Sequence, residues 1–465
     1  MQTDGPQGLR RHSLGALEVF AQSVATMGPT TVLALTPALV FTTAGNGTWL
    51  SMVIATGAVL VVAYCVSIFA RRYATSASLY TYARRGLGPL AGSSAGLGLT
   101  LGYAAVGAGC AIGAGAYFAS WLELLGVDAT SRGAEIALFL AFGALGAWFC
   151  YRGIQLSTRA ALVLEIVSIV SLLVILVATV LRVGVVFEEQ LTLSGVAFSD
   201  LVRGVVLAIT AFVGFEAAST LGAEARDPHK SVPRALLLTV TGAGVLYLGA
   251  SYVEVGGFHE RGQDITESAA PLNELAEIAG VGFLRYTIDI GVSISFLAAV
   301  IGLVNAGARM LYSFGRAGLA PEALTRTHRT HSTPHVAILI LIPIVTVVPI
   351  VLVGVAGIAP LEAFAYVATL GTFGFMWAYL LVALAALAYL RREGRLKAFQ
   401  VVGITLAAAT LVGVFWTNVF PTPPSPYNAF PFVFFGLMTV AAAAFAARQR
   451  RGPGLWAEAE AAEMP

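Results

Sequence analysis

Ala25-Thr26-Met27-Gly28-Pro29-Thr30-Thr31 lies near the middle of the first apolar segment, and Thr210-Ala211-Phe212-Val213-Gly214-Phe215-Glu216 lies at a similar depth in the sixth. Pro29 removes one backbone N–H and disrupts the turn before it, while Gly28 lets the chain leave helical geometry. Around the first stretch, from Val19 to Ala70, there is no Asp, Glu, Lys or Arg. About 20 apolar residues rising 1.5 Å each cross the hydrocarbon of a bilayer. The segment therefore holds two crossings, parted at Ala44-Gly45-Asn46-Gly47. In hydrocarbon every backbone N–H and C=O must be satisfied, so a helix is interrupted only where protein or a water-filled cavity covers the break. Both interruptions are candidate sites for that reason.

The rest of the chain has the same character. Its 465 residues are 57% hydrophobic and 11% charged, where soluble domains run at about 45–50% and about 25%, and the mean hydropathy is +0.82. Spans are read near 17–43, 49–69, 89–120, 134–150, 160–182, 201–222, 235–255, 284–313, 336–356, 362–390, 398–418 and 429–447. The expected fold is thus an all-α integral membrane protein of twelve transmembrane helices. The first segment is too long for a cleavable signal peptide and is expected to be retained. A net charge of +2 gives no argument for nucleic acid as a partner. Cys65, Cys110 and Cys150 sit in apolar stretches, and His328, His331 and His335 share one polar loop that reads as solvated surface, so neither a disulfide framework nor a metal site is expected.

Charge fixes the expected orientation. With the N-terminus inside, 22 of the 27 Lys and Arg fall in inside stretches, and only Arg132, Arg182, Arg203, Arg261 and Arg285 fall outside, the bias that the positive-inside rule demands. Both termini are then cytoplasmic in a multi-pass protein of the cell membrane. The organisation read from this is an N-terminal cytoplasmic segment 1–16, a ten-helix core 17–390, helices 11 and 12 over 391–447, and a cytoplasmic tail 448–465. Pro271-Leu272-Asn273-Glu274-Leu275-Ala276-Glu277 reads as a short outer helix, and the proline-rich run from Pro421 to Pro426 as a stiff extended turn.

Five crossings per half is an odd number. If spans 1–5 (17–182) and 6–10 (201–390) are two halves, span 1 runs inside to outside and span 6 outside to inside, so the halves are inverted repeats. Gly/Pro interruptions in corresponding helices of inverted halves are the best sequence pointer to a carrier's binding site. Half-helix N-termini there offer N–H groups to an anion, and C-terminal ends offer carbonyls to a cation or ammonium. An α-amino acid carries both charges. The competing reading is that Gly28, Pro29 and Gly214 are ordinary kink and packing residues.

After span 6 come Gly214-Phe215-Glu216 and Glu224-Ala225-Arg226-Asp227-Pro228-His229-Lys230-Ser231-Val232-Pro233-Arg234-Ala235. This resembles the amino acid-polyamine-organocation (APC) superfamily of permeases, whose sixth helix reads G-x-E and whose next loop reads E-x-x-x-P-x-x-x-[IV]-P-R-A. Ser76 to Tyr82 with Leu87-Gly88-Pro89, Tyr151-Arg152-Gly153-Ile154, and Arg309 followed by Gly315 to Pro321 and Thr333-Pro334-His335-Val336-Ala337 are similar to further family segments in the same order. The resemblance implies a LeuT-type fold of five plus five inverted helices with two C-terminal helices, and amino acids or related amines as substrates. It places the substrate carboxylate on the unwound part of span 1, here Thr26, Met27, Gly28 and Thr30. Carbonyls of span 6, at Thr210 and Val213 beside Gly214, would take the amine, with Phe212 or Phe215 as the aromatic cover. Span 1 departs from the family's G-S-G-I-F, reading Thr26-Met27-Gly28-Pro29-Thr30 instead.

An ionisable group at the bilayer centre costs about 2.5–3.5 kcal/mol or more, so its default reading is functional. Glu216 after the span 6 break, Glu165 in span 5 and Asp289 early in span 8 are candidate proton carriers; the alternative is a carboxyl that locks two helices. The family's proton users often carry a lysine in helix 5, a position that falls here on Ser168. Glu165, three residues away, shares its helical face and is the candidate proton or cation group. Ser293 and Ser295 match positions that complete a sodium site in sodium-coupled relatives. In the inside loops, Glu224 and Arg309 are the candidate cytoplasmic gate, although exposed ion pairs are mostly worth under about 1 kcal/mol.

The function expected from these readings is secondary active transport of amino acids by alternating access, coupled to H⁺ symport, and not an enzymatic activity: no nucleophile, base or metal set converges in the membrane, and no GxxxxGK[ST] phosphate loop is present. No cofactor is expected beyond a co-transported H⁺, with Na⁺ as the alternative. The expected partners are a small amino acid or amine and the lipid bilayer. A polyamine or organic-amine carrier of the same fold is the nearer rival, and a six-plus-six carrier or a channel the more distant ones.

Overall fold

The computed structural model describes residues 9, 12–129, 131–152, 154–184, 187–268, 270–328, 330–420, 422 and 425–451. Arg10, Arg11, Gly153, Arg329, three prolines of the proline-rich turn (Pro421, Pro423 and Pro424) and the tail beyond Arg451 lie outside the described residues. Within them the chain is helical, with one isolated β-bridge between Leu14 and Ala225 and no strand. Eleven helical stretches are long and apolar enough to cross a membrane. The first, Ala16–Ala70, has 55 residues, about 80 Å of helix at 1.5 Å per residue and so more than twice a bilayer core.

That stretch is three helices, α1 (Ala16–Met27), α2 (Pro29–Ala44) and α3 (Thr48–Ala70), with a 3₁₀ turn at Gly45–Gly47. Then follow α4 (Leu79–Leu87), α5 (Pro89–Leu124), α6 (Arg132–Arg152), α7 (Ile154–Val183), the single turn α8 (Glu188–Leu191) and α9 (Phe198–Thr210). After the 3₁₀ run Phe215–Leu221 come α10 (Pro228–His259), α11 (Pro271–Ile278), α12 (Arg285–Arg316), α13 (His335–Pro349), α14 (Pro360–Arg392), α15 (Ala398–Thr417) and α16 (Phe430–Arg451). Five of these helices, α2, α5, α10, α11 and α14, start with proline at the first position, where its missing N–H costs nothing and its fixed φ suits the helix. Pro228 accordingly starts the seventh span ahead of the residue 235 expected from hydropathy. The short α4 was not expected, because nine residues are too few to register as a span; its Tyr80, Tyr82 and Ala83 are buried, and it packs on α5 and α14.

The packing partners are exchangeable between the first five spans and the next five. α3 packs on α10, α5 on α12, and α6 on α13, which are spans 2 on 7, 3 on 8 and 4 on 9. The contact of α7 with α12 is matched by that of α14 with α5, and the contact of α1 with α10 by that of α9 with α3. At the centre α5 and α14 cross with backbones touching at Gly98 and Gly374, where a Cβ on either glycine would strike the other's carbonyl. Small residues allow this approach, which is how membrane helices gain dispersion energy.

Polar contacts sort the loops into two ends. Leu14 bridges Ala225, Arg72 bonds Glu393, Ser76 bonds Ser313, and Thr333 donates to the Tyr151 carbonyl. At the other end Asn46 donates to Ser194 O, Trp49 to Gln190 O, and Asn273 to Asp289. The first group is the set of basic loops and is called the basic end below.

Candidate functional site

Both interruptions are present. α1 ends where the Gly28 N–H reaches Val24 O at 3.0 Å; Gly28 then takes φ +58° and ψ +66°, and α2 resumes at Pro29. This left-handed conformation suits only glycine without strain. In span 6, α9 ends at Thr210, a turn closes with Val213 N–H on Thr210 O at 3.2 Å, and Gly214 takes φ +99°.

The two breaks touch each other. A Cβ on Gly214 would lie 3.0 Å from the Thr26 carbonyl oxygen, and the Ser23 hydroxyl donates to the Phe215 carbonyl. α1 packs on the 3₁₀ run that follows the span 6 break, while α2 packs on α9, which precedes it. First half meets second half in both cases, so the broken spans pair antiparallel. Gly302 of α12 presses against Thr26 from a third side. Gly214→Ala is therefore expected to strain a left-handed residue, at about 1–2 kcal/mol, and to wedge the breaks apart at Thr26. Uptake should fall about five- to thirtyfold, the rate equivalent of that energy, while the protein still purifies folded; initial rates in proteoliposomes and a melting curve check both.

The residues assigned to substrate binding lie around this contact. Thr26 donates to Gln22 O at 2.5 Å, Met27 is buried, and Thr31 donates to the Gly28 carbonyl at 2.7 Å. Thr210 is half-buried, its hydroxyl on Leu207 O. Phe212 and Val213 are buried, Phe212 edge-on to Tyr247 with ring centres 5.3 Å apart and Phe215 against Tyr379 at 5.2 Å. Thr30 is engaged differently from the expectation, with both its N–H (2.9 Å) and its hydroxyl (3.0 Å) donating to Glu165 Oε1. The Ser295 hydroxyl donates to the other oxygen, Oε2. Glu165 thus caps the N-terminal end of α2, where free N–H groups and the helix dipole favour an anion. Ser168 and Ser293 lie outside this set: Ser168 donates to Gly291 O at 2.9 Å and Ser293 to Ala114 O at 2.7 Å.

Glu216 sits just beyond the span 6 break, toward the basic end. Tyr103 of α5 donates to its Oε1 at 2.8 Å and Tyr379 of α14 to its Oε2 at 2.5 Å, which ties spans 3, 6 and 10 together. Further out, Arg309 Nε and Nη2 lie 2.6 and 3.2 Å from the two oxygens of Glu224, with both side chains almost fully buried. The Glu224 carbonyl accepts the Ser13 and Leu14 N–H groups, which staples the N-terminal segment over the pair. At the rim, Arg72 bonds Glu393 at 2.6 Å and Tyr389, and its guanidinium holds the Glu393 carboxyl below the usual range. Asp289 lies at the opposite end, accepting from Asn273 at 2.7 Å and Ser120 at 2.8 Å.

Several residues escaped the sequence reading. Gln22 of α1 donates to Gly302 O at 2.9 Å. Glu254 of α10 is fully buried; as an acid inside span 7 it satisfies the rule that singled out Glu216. Tyr103 and Tyr379 gave no signal, since a tyrosine in an apolar span reads as packing until its partner is known.

Residues 14–443 match the family model described as amino acid permease. The chain belongs to the amino acid permease family. An uncharacterized transporter of Mycobacterium tuberculosis is 32% identical to it over 336 residues, 70% of each chain. The branched-chain amino acid permease BcaP of Bacillus subtilis is 26% identical over 341 residues, 70% of this chain and 71% of that one. The low-affinity putrescine importer PlaP of Escherichia coli is 26% identical over 284 residues, 57% and 58% of the two chains. Family and apolar helices together make this a multi-pass membrane permease of the APC superfamily.

Proposed function

We propose that this permease carries amino acids across the cell membrane by alternating access, driven by H⁺ symport, with both termini cytoplasmic. The reading rests above all on the antiparallel contact of two broken spans at Thr26 and Gly214. The exchangeable packing of spans 1–5 with 6–10 supports a ten-helix core of two inverted repeats, 17–182 and 201–390, and the 55-residue first stretch supports twelve crossings. Between the breaks, the start of α2 receives a substrate carboxylate once protonation of Glu165 removes the competing charge there, and carbonyls at the end of α9 face its ammonium. Phe212 or Phe215 covers the apolar part.

Glu165 is the coupling group in this scheme. Ionised, it accepts three hydrogen bonds from Thr30 and Ser295 and neutralises the start of α2. Once protonated it must donate as well as accept, which loosens that end of α2 and couples the proton to the span 1 break. Tyr103–Glu216–Tyr379 and Glu224–Arg309 are then two layers that close the cytoplasmic route and part when the carrier opens inward.

A polyamine or other organic-amine carrier is the second reading. It is favoured by the absence of Lys and Arg from residues 19–70 and 204–225, around both breaks, with Glu165 and Glu216 close by. Proteoliposome uptake across a panel of amino acids and amines, under imposed pH or Na⁺ gradients, tests both. The expected result is accumulation of amino acids driven by external acid, with leucine competing and putrescine not. Uptake that follows Na⁺ alone, or that putrescine inhibits and leucine does not, overturns the H⁺-coupled amino acid reading.

A further inference from the structure

Among the described residues, Glu165, Glu216, Asp289 and Glu254 are carboxyls with 0% exposure. The first three accept hydrogen bonds from named donors. Glu254 does not: neither Oε1 nor Oε2 has a partner. A carboxyl removed from water and left without a donor is strongly unfavourable, so such a group calls for a ligand or a polar route.

Glu254 lies seven residues along α10 from Tyr247, whose ring meets Phe212 at the span 6 break. Seven residues are two helical turns, about 10 Å on the same face and away from the basic end. One turn further, Gly257 faces Leu275 of α11 and Thr179 of α7. Tyr117 of α5 is within electrostatic reach of both Glu254 and Asp289, and its hydroxyl approaches Ala34 O of α2 at 3.5 Å. Asn273 of α11 donates to Asp289 through its amide nitrogen, while its Oδ1 has no partner. Of the nearby cations, Arg285 bonds Glu277 at 3.2 Å and is within electrostatic reach of Asp289 but not placed against Glu254, and Arg182 lies against Gly280 beyond α11. The result is a carboxyl and an amide oxygen without donors, Glu254 and Asn273 Oδ1, beside the Asp289 carboxyl and placed between α11 and the breaks. An ammonium group brings three N–H donors and a positive charge, which match them.

We propose that Glu254, with Asp289 and the Asn273 carbonyl behind α11, forms an outer station for the ammonium group of the transported amino acid or amine, filled before the solute reaches the breaks. The station rests on the carrier reading above. It sets the KM for solute arriving from outside and leaves the KM for solute arriving from the cytoplasm unchanged. That side-selectivity distinguishes it from a structural role, which affects both directions.

The test is the KM for labelled leucine and putrescine, measured separately for external and internal substrate in proteoliposomes of one orientation. Glu254→Gln is expected to raise the external KM of the transported solute about tenfold, the equivalent of one charge-assisted hydrogen bond. The internal KM and the maximal influx rate should stay within about twofold, a difference too small to mark a lost contact, while the maximal efflux rate falls in step with the external Vmax/KM, because influx and efflux share one equilibrium. Glu254→Asp should restore part of the external affinity. Should Glu254→Gln not fold, Asn273→Ala on the half-buried α11 is expected to raise the external KM alone. An unchanged external KM, or an equal rise of KM on both sides, overturns the station. Wild-type protein that transports neither solute nor any other amino acid or amine overturns the carrier reading itself, and with it the station.

Discussion

Glu165→Gln is expected to abolish uphill accumulation while leaving solute exchange intact. Glutamine keeps the shape of the side chain, and its carbonyl oxygen can still accept the Thr30 N–H and hydroxyl that lie 2.9 and 3.0 Å from Oε1. The fold therefore holds, and α2 keeps its cap. What is lost is the ability to gain and release a proton. A pH difference of one unit is worth about 1.4 kcal/mol per proton, a tenfold concentration ratio. Wild-type proteoliposomes under that gradient should approach a tenfold ratio and the variant a ratio of about one, with counterflow of preloaded substrate retained. Full gradient-driven accumulation by the variant would remove Glu165 from the coupling role.

The second large effect is on stability. Arg309→Met leaves the Glu224 carboxylate buried at 3% side-chain exposure without the guanidinium that meets both its oxygens. Breaking a buried pair from one side costs about 3–5 kcal/mol, because the stranded charge has lost its water as well as its partner. The Asn305 carbonyl also loses the Arg309 Nη1 donor at 3.0 Å. The expected result is a clear drop in the melting temperature and loss of transport. Adding Glu224→Gln to Arg309→Met removes the stranded charge and should recover most of the stability but not the transport rate. A single variant as stable as wild type, or a double variant no better than the single, would show that the pair is not the buried latch described above.

Much of this molecule is legible in its sequence because the membrane penalises deviation. Gly28-Pro29 can stand inside an apolar segment only where the backbone is covered, and the structure places Thr26 and Gly214 against each other there. The basic loops read as lying on one side are joined by Leu14–Ala225, Arg72–Glu393 and Ser76–Ser313. What was not legible is which span lies beside which. Family resemblance set Thr30 among substrate ligands; that its N–H and hydroxyl also reach Glu165, 135 residues away, is something no span position tells. Ser168 and Ser293 share helical faces with good candidates, but each meets a carbonyl of a neighbouring helix that no spacing rule reveals. α4 escaped for the opposite reason: it is amphipathic and nine residues long, so the search for apolar spans passes over it.

The most direct measurement is a high-resolution structure of the protein in a lipid nanodisc with leucine bound. The ligand should lie between residues 26–31 and 210–215, its carboxylate toward the start of α2 and its ammonium toward the end of α9. Leucine bound elsewhere, with both breaks closed on each other or wound into unbroken helices, would contradict the account.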